Sequence, residues 1–126
     1  MKLLPRILLY LFGLLMVLAG VSHFLNPGTF EGFIPDFLPK DAVNYLAGLV
    51  EIALGVGVFI PRTQVWAALG LLVLMLAFLP LHVIDLFKEN PAIGSHQAAM
   101  IRLPMQFVLI AWTWFNYRTA KNADQG

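Results

Sequence analysis

A lone carboxylate, Glu51, stands in the middle of an apolar stretch, Ala42 to Ile60, that is long enough to cross a lipid bilayer. An ionised acid at the bilayer centre costs about 3 kcal/mol on insertion scales, and more on an isolated helix. Glu51 must therefore face other protein, a water-filled cavity or a ligand. That requirement points to a bundle of helices and makes the neighbourhood of Glu51 the first place to look for a site.

Composition agrees. Of 126 residues, 60% are hydrophobic and only 12% charged, against about 25% charged in a typical soluble domain. A formal net charge of +1, without a basic patch or an acidic tail, argues against a nucleic-acid partner. The sequence has no cysteine, which removes disulfide exchange, iron–sulfur ligation and thiolate metal sites. It also sets the chain apart from small four-helix membrane proteins that oxidise thiols through paired cysteines. No Gly-rich nucleotide-binding fingerprint is present.

Four stretches meet the need for roughly 20 mostly apolar residues per span: about residues 7–25, 42–60, 65–84 and 103–117. The expected fold is all-α, a single integral membrane four-helix bundle over residues 1–126 with a short interfacial segment, 27–39, between the first two helices. Lys2 and Arg6 ahead of a Leu-rich run, with Gly20-Val21-Ser22 beyond it, also fit a signal peptide; cleavage there would leave three spans. Lys2, Arg6, Arg62, Arg118 and Lys121 fall on one side of the spans. By the positive-inside rule both termini are expected in the cytoplasm, with the chain in a bacterial inner membrane. Trp66, Trp112, Trp114 and Tyr117 then lie towards that interface.

Pro61-Arg62-Thr63-Gln64 is too short for anything but an antiparallel hairpin, with Thr63 as the expected N-cap of the third span and Asp41 as that of the second. In the 27–39 segment, Phe30, Phe33, Ile34, Phe37 and Leu38 recur at helical spacing, and Pro35 and Pro39 exclude one continuous helix. Two roles stay open for it: a greasy loop packed on helix ends, or a lid over an internal pocket. The fourth helix starts either near Ser95, with a kink before Pro104, or at Leu103.

The unusual polar residues gather at one depth. His23 closes the first span, His82 and Asp85 close the third, and Arg102 and Gln106 open the fourth from the same side. Glu51 lies roughly 13 Å below the outer end of its helix at 1.5 Å per residue. Gly48, Glu51 and Gly55 share one face, the small-residue stripe on which membrane helices approach closely. A pocket floored by Glu51 and rimmed by His23, His82, Asp85, Arg102 and Gln106 satisfies all of this. Each member also has a purely structural role open to it: Glu51 as an interhelical bridge, neutral or paired to Arg102, His23 as a helix cap, Asp85 and Arg102 as interfacial charges, Gln106 and Thr113 as interhelical ties. No spacing in the chain specifies a metal, and His23 with His82 carries no haem-attachment signature.

Four segments taken in order resemble the DoxX-like family of small four-helix bacterial membrane proteins. They are Gly20-Val21-Ser22-His23-Phe24-Leu25-Asn26-Pro27 through Phe30, Ile34-Pro35-Asp36-Phe37-Leu38-Pro39, Gly48 through Gly57 ending in Pro61-Arg62-Thr63, and Arg102-Leu103-Pro104-Met105-Gln106 leading to Trp112. The resemblance implies an association with membrane redox systems, and it puts His23, Glu51, Arg102 and Gln106 at motif positions. The chain departs from the family pattern at Leu81-His82-Val83, where relatives often carry Ala-Asn-Ile. The expected function is a subunit of a quinone-linked redox system, with quinone as the ligand and a partner among membrane or redox proteins, or a second copy of the chain. Proton-coupled transport of a small solute and a structural assembly role are the alternatives.

Overall fold

The computed structural model describes residues 1–125, and it is helical throughout, with no strand among the described residues. The elements are α1 (Leu3–Leu25), α2 (Gly28–Glu31), α3 (Lys40–Gly57), α4 (Gln64–Leu86) and α5 (His96–Gln125). Three of them, α1, α4 and α5, are long and apolar enough to cross a membrane. At 18 residues α3 is about 27 Å long, and Lys40, Asp41 and Glu51 all lie within it, which keeps it outside that class.

The four longer helices form two antiparallel pairs, α1 with α3 and α4 with α5. Glycine sets the first. A Cβ on Gly20 would lie 2.6 Å from the Gly48 carbonyl oxygen, and one on Gly48 would lie 2.9 Å from that of Gly20. The same reciprocity holds one heptad away, where the corresponding distances between Gly13 and Gly55 are 3.0 and 2.7 Å. Backbone touches backbone at two levels, as small residues permit in membrane helices. The pairs meet over a core of Leu9, Phe12, Met16, Leu71 and Met75, closed towards the termini by Val58, Ala67 and Ala120. Trp112 packs edge-on against Phe12 and donates its Nε1–H to the Leu8 carbonyl at 3.0 Å, tying α5 to α1.

Both ends of the chain therefore share one end of the bundle with the turn after α3. That turn is held by side chains: the Thr63 hydroxyl donates to the Gly57 carbonyl at 2.8 Å and the Gln64 amide to the Val58 carbonyl at 2.9 Å. Thr63 is the residue that precedes α4, as expected, but its hydroxyl knits the turn instead of capping the helix. The cap expected of Asp41 is not made. Pro39 precedes the helix and Asp41 sits in its first turn, where its charge still opposes the positive helix end.

One boundary differs from expectation and one open alternative is resolved. The second span ends at Gly57, with Val58 to Ile60 in the turn. The fourth begins at His96 and not near Leu103, because the Ser95 hydroxyl accepts the Ala98 N–H at 3.0 Å and caps it. Pro80 and Pro104 both lie inside helices that continue past them.

The glycine contacts give a direct test. Gly48→Val would press a branched side chain on the Gly20 carbonyl and on the His23 Cβ, and should destabilise the protein by about 1–3 kcal/mol. Gly28→Ala meets nothing within 4 Å and should leave stability within about 0.5 kcal/mol of the parent. Thermal unfolding of the two variants in detergent checks this; equal midpoints would refute the packing.

Candidate functional site

The α1–α3 contact places His23 beside α3. Asn44 and Glu51 stand seven residues apart on one face of that helix, about 10 Å along its axis, and the imidazole bridges them. Nδ1 is 2.7 Å from Asn44 Oδ1, and Nε2 is 2.6 Å from Glu51 Oε2. All three side chains are buried, Glu51 to 4% exposure.

Asn44 decides where the protons sit. Its Nδ2 donates to the His23 backbone carbonyl at 2.9 Å, so its Oδ1 must be the atom facing Nδ1. An amide oxygen only accepts, and Nδ1 therefore carries a hydrogen. In a neutral ring that leaves a lone pair on Nε2. Two lone pairs cannot face each other across 2.6 Å, so a proton sits between Nε2 and Glu51, on the carboxyl or on the ring. The angle is poor for a hydrogen bond, and Oε2 has no other partner; the short distance is what demands the proton. Either way the couple is neutral as a whole.

This couple opens on a cavity of about 360 Å³, within the usual range of small-molecule sites. Met16 and Ala19 of α1, Met75 and Phe78 of α4 and Leu109 of α5 supply apolar walls. The polar groups on its lining are His23, Asn44, Glu51, His82 and Arg102. The 27–39 segment is the roof. Phe30 stacks on the His23 ring at 3.9 Å between centroids, Phe33 meets His82 edge-on at 5.3 Å, and Ile34 is buried. Lys88 donates to the Gly32 carbonyl at 2.7 Å, tying that roof to the loop after α4.

Arg102 is the unbalanced group. Its Nη1 is buried without a hydrogen-bond acceptor, and no carboxylate among the described residues lies within ion-pair distance of it.

Of the six residues expected to form the pocket, His23, Glu51, His82 and Arg102 line it. Asp85 does not. Its carboxylate turns away to accept the Ala92 and Ile93 N–H groups at 2.6 and 3.3 Å, with Lys88 3.9 Å from it. It makes no hydrogen bond to His82; it anchors the loop that brings Ile93 to the cavity wall. Gln106 also stands apart, fully buried, its amide donating to the Met75 carbonyl at 2.7 Å. It is a tie between α4 and α5. Thr113 bonds the Leu109 and Ile110 carbonyls of its own helix and links nothing across the bundle. Asn44 was not anticipated, although it shares the stripe of Gly48, Glu51 and Gly55, where a second polar residue is a usable signal. No group of three His, Asp or Glu residues could hold a metal among the described residues.

Asn44→Leu removes the acceptor of Nδ1 and the donor to the His23 carbonyl, and should cost about 1–3 kcal/mol of stability. Nitrogen NMR of labelled His23 should show Nδ1 protonated in the parent at neutral pH and a mixture of tautomers in the variant. A bare Nδ1 in the parent would overturn the assignment.

The chain belongs to the family defined by a domain of unknown function, DUF8561, whose model matches residues 12–117. The matched region contains every cavity residue, from Met16 to Leu109. No curated protein and no solved structure matches the chain.

Proposed function

We propose that this protein is a four-helix integral membrane subunit of a quinone-linked redox system, and that its cavity holds the quinone headgroup. The observation that carries the reading is the neutral His23–Glu51 couple on the wall of a largely apolar, roofed cavity. A quinone ring asks for flat apolar surfaces and for donors at its carbonyl oxygens. Phe30, Phe33, Met75 and Phe78 provide the surfaces, while the shared proton and the Arg102 guanidinium provide the donors. Glu51 then hands a proton to the bound ring or takes one from it, and His23 keeps its charge from being isolated in the bilayer. The DoxX-like resemblance, whose members serve membrane redox systems, supports the same role.

The membrane placement follows from the same chemistry. α3 crosses together with α1, α4 and α5, its one mid-span carboxylate covered by His23. Lys2, Arg6, Arg62, Arg118 and Lys121 gather at the end that carries both termini; the positive-inside rule puts that end in the cytoplasm and the cavity in the outer leaflet of a bacterial inner membrane.

Native mass spectrometry of the protein extracted with its lipids should show a bound quinone. Glu51→Gln should lower its retention by about tenfold, the loss of roughly one charge-assisted hydrogen bond. A protein that carries no quinone and binds none when it is supplied would refute the proposal. Proton-dependent solute uptake into liposomes, abolished by the same substitution, would place the protein among transporters.

A further inference from the structure

The charges that face the cavity do not cancel. Its titratable lining groups are His23, Glu51, His82 and Arg102. The first two share one proton and sum to zero, whichever of them holds it. Arg102 is always a cation. His82 adds nothing when neutral and further positive charge when protonated. Asp85, the nearest acid at the outer end of α4, is committed to the Ala92 and Ile93 amides and to Lys88. The side chains lining the cavity thus leave at least one positive charge uncompensated, on a guanidinium whose Nη1 is buried without an acceptor. A guanidinium that is half-buried, with one Nη buried and lacking an acceptor, gains when an anion joins it.

We propose that the cavity takes its ligand as an oxyanion, with the charged oxygen on Arg102 and the ring between the aromatic roof and the α4 wall. This rests on the cavity being a site for a ring compound and names its class: hydroxyquinones, quinol monoanions and related phenolates, in preference to neutral rings of the same shape. A guanidinium presents a planar fork of donors, suited to an oxygen that carries charge. The His23–Glu51 couple stays neutral, so it does not repel the anion. The ligand enters already ionised, its proton left in the solvent, so binding it as an anion asks no proton of the couple.

Two naphthoquinone probes separate the outcomes. Lawsone has an acidic hydroxyl that is ionised at neutral pH; menadione has the same bicyclic ring and no acidic proton. Binding of each is measured to the full chain in lipid nanodiscs, correcting for partition into protein-free discs. Lawsone should bind at least about tenfold more tightly than menadione, about 1.4 kcal/mol. Arg102→Gln should bring the two to within about twofold by weakening lawsone alone, and Arg102→Lys should keep part of the preference. Equal affinities for the parent protein, or a preference that survives Arg102→Gln, overturn the inference and leave the quinone site standing. Binding of neither probe removes the site itself. Should Arg102→Gln fail to fold, the parent's preference and the Arg102→Lys variant decide alone.

Discussion

Everything at the site depends on the backbone contact between α1 and α3. Two reciprocal glycine pairs, Gly13 with Gly55 and Gly20 with Gly48, let these helices approach until a Cβ at any of the four positions would press on its neighbour's backbone. In the membrane setting proposed for the bundle, hydrophobic drive between helices is small, and close packing with polar contacts takes its place. The glycine stripe supplies the packing. Three residues beyond Gly20, and on the same helix face as Gly48, His23 and Glu51 supply the polar contact. A wider separation would take the His23 imidazole out of reach of Glu51.

The arrangement of Asn44, His23 and Glu51 turns a liability into a defined state. A buried acid alone is expensive, and so is a buried imidazole with unsatisfied nitrogens. Here one amide satisfies the backbone carbonyl and Nδ1 of His23 together, and what remains is one proton between Nε2 and the carboxyl. The two Asn44 hydrogen bonds fix the ring's position, and the short Nε2–Oε2 approach fixes the carboxyl against it. Phe30, stacked on the imidazole, holds the ring plane and couples the roof to the acid below it. Of the 27–39 segment, Phe30, Phe33 and Ile34 line the cavity, whereas Phe37 is exposed.

Much of this was legible in the chain. Run lengths and the short Pro61–Gln64 link led to the helices and the α3–α4 hairpin, and the stripe of Gly48, Glu51 and Gly55 led to the close-packed face. Depth counting brought His23, Glu51, His82 and Arg102 to one cavity. It could not tell which way a side chain turns. Asp85 and Arg102 both sat at the right depth, yet Asp85 is captured by the Ala92 and Ile93 amides, and nothing local to the sequence announces that. Gln106 was at the right level and on the right face, but the Met75 carbonyl claims its amide. The start of the fourth helix, left open between Ser95 and Leu103, falls at His96. Pro104 lacks the N–H that would bond back to residue 100, but a turn of helix with a good cap at Ser95 tolerates that loss.

The fate of Asp85 has a consequence for Arg102. In a small polar cavity an acid and a base at similar depth would be expected to neutralise each other, and a pocket closed by such a pair needs no ligand. Because the loop after α4 draws Asp85 outward, one carboxylate builds the wall that carries Ile93 and in doing so leaves the guanidinium uncompensated. Nor can Glu51 act as a substitute, since its negative charge is already answered by the proton it shares with His23. Both acids that might have quenched Arg102 are thus occupied by partners on other elements, one for the loop and one for the α1–α3 joint. The free positive charge is a consequence of how the fold is held together, and whatever enters the cavity meets it.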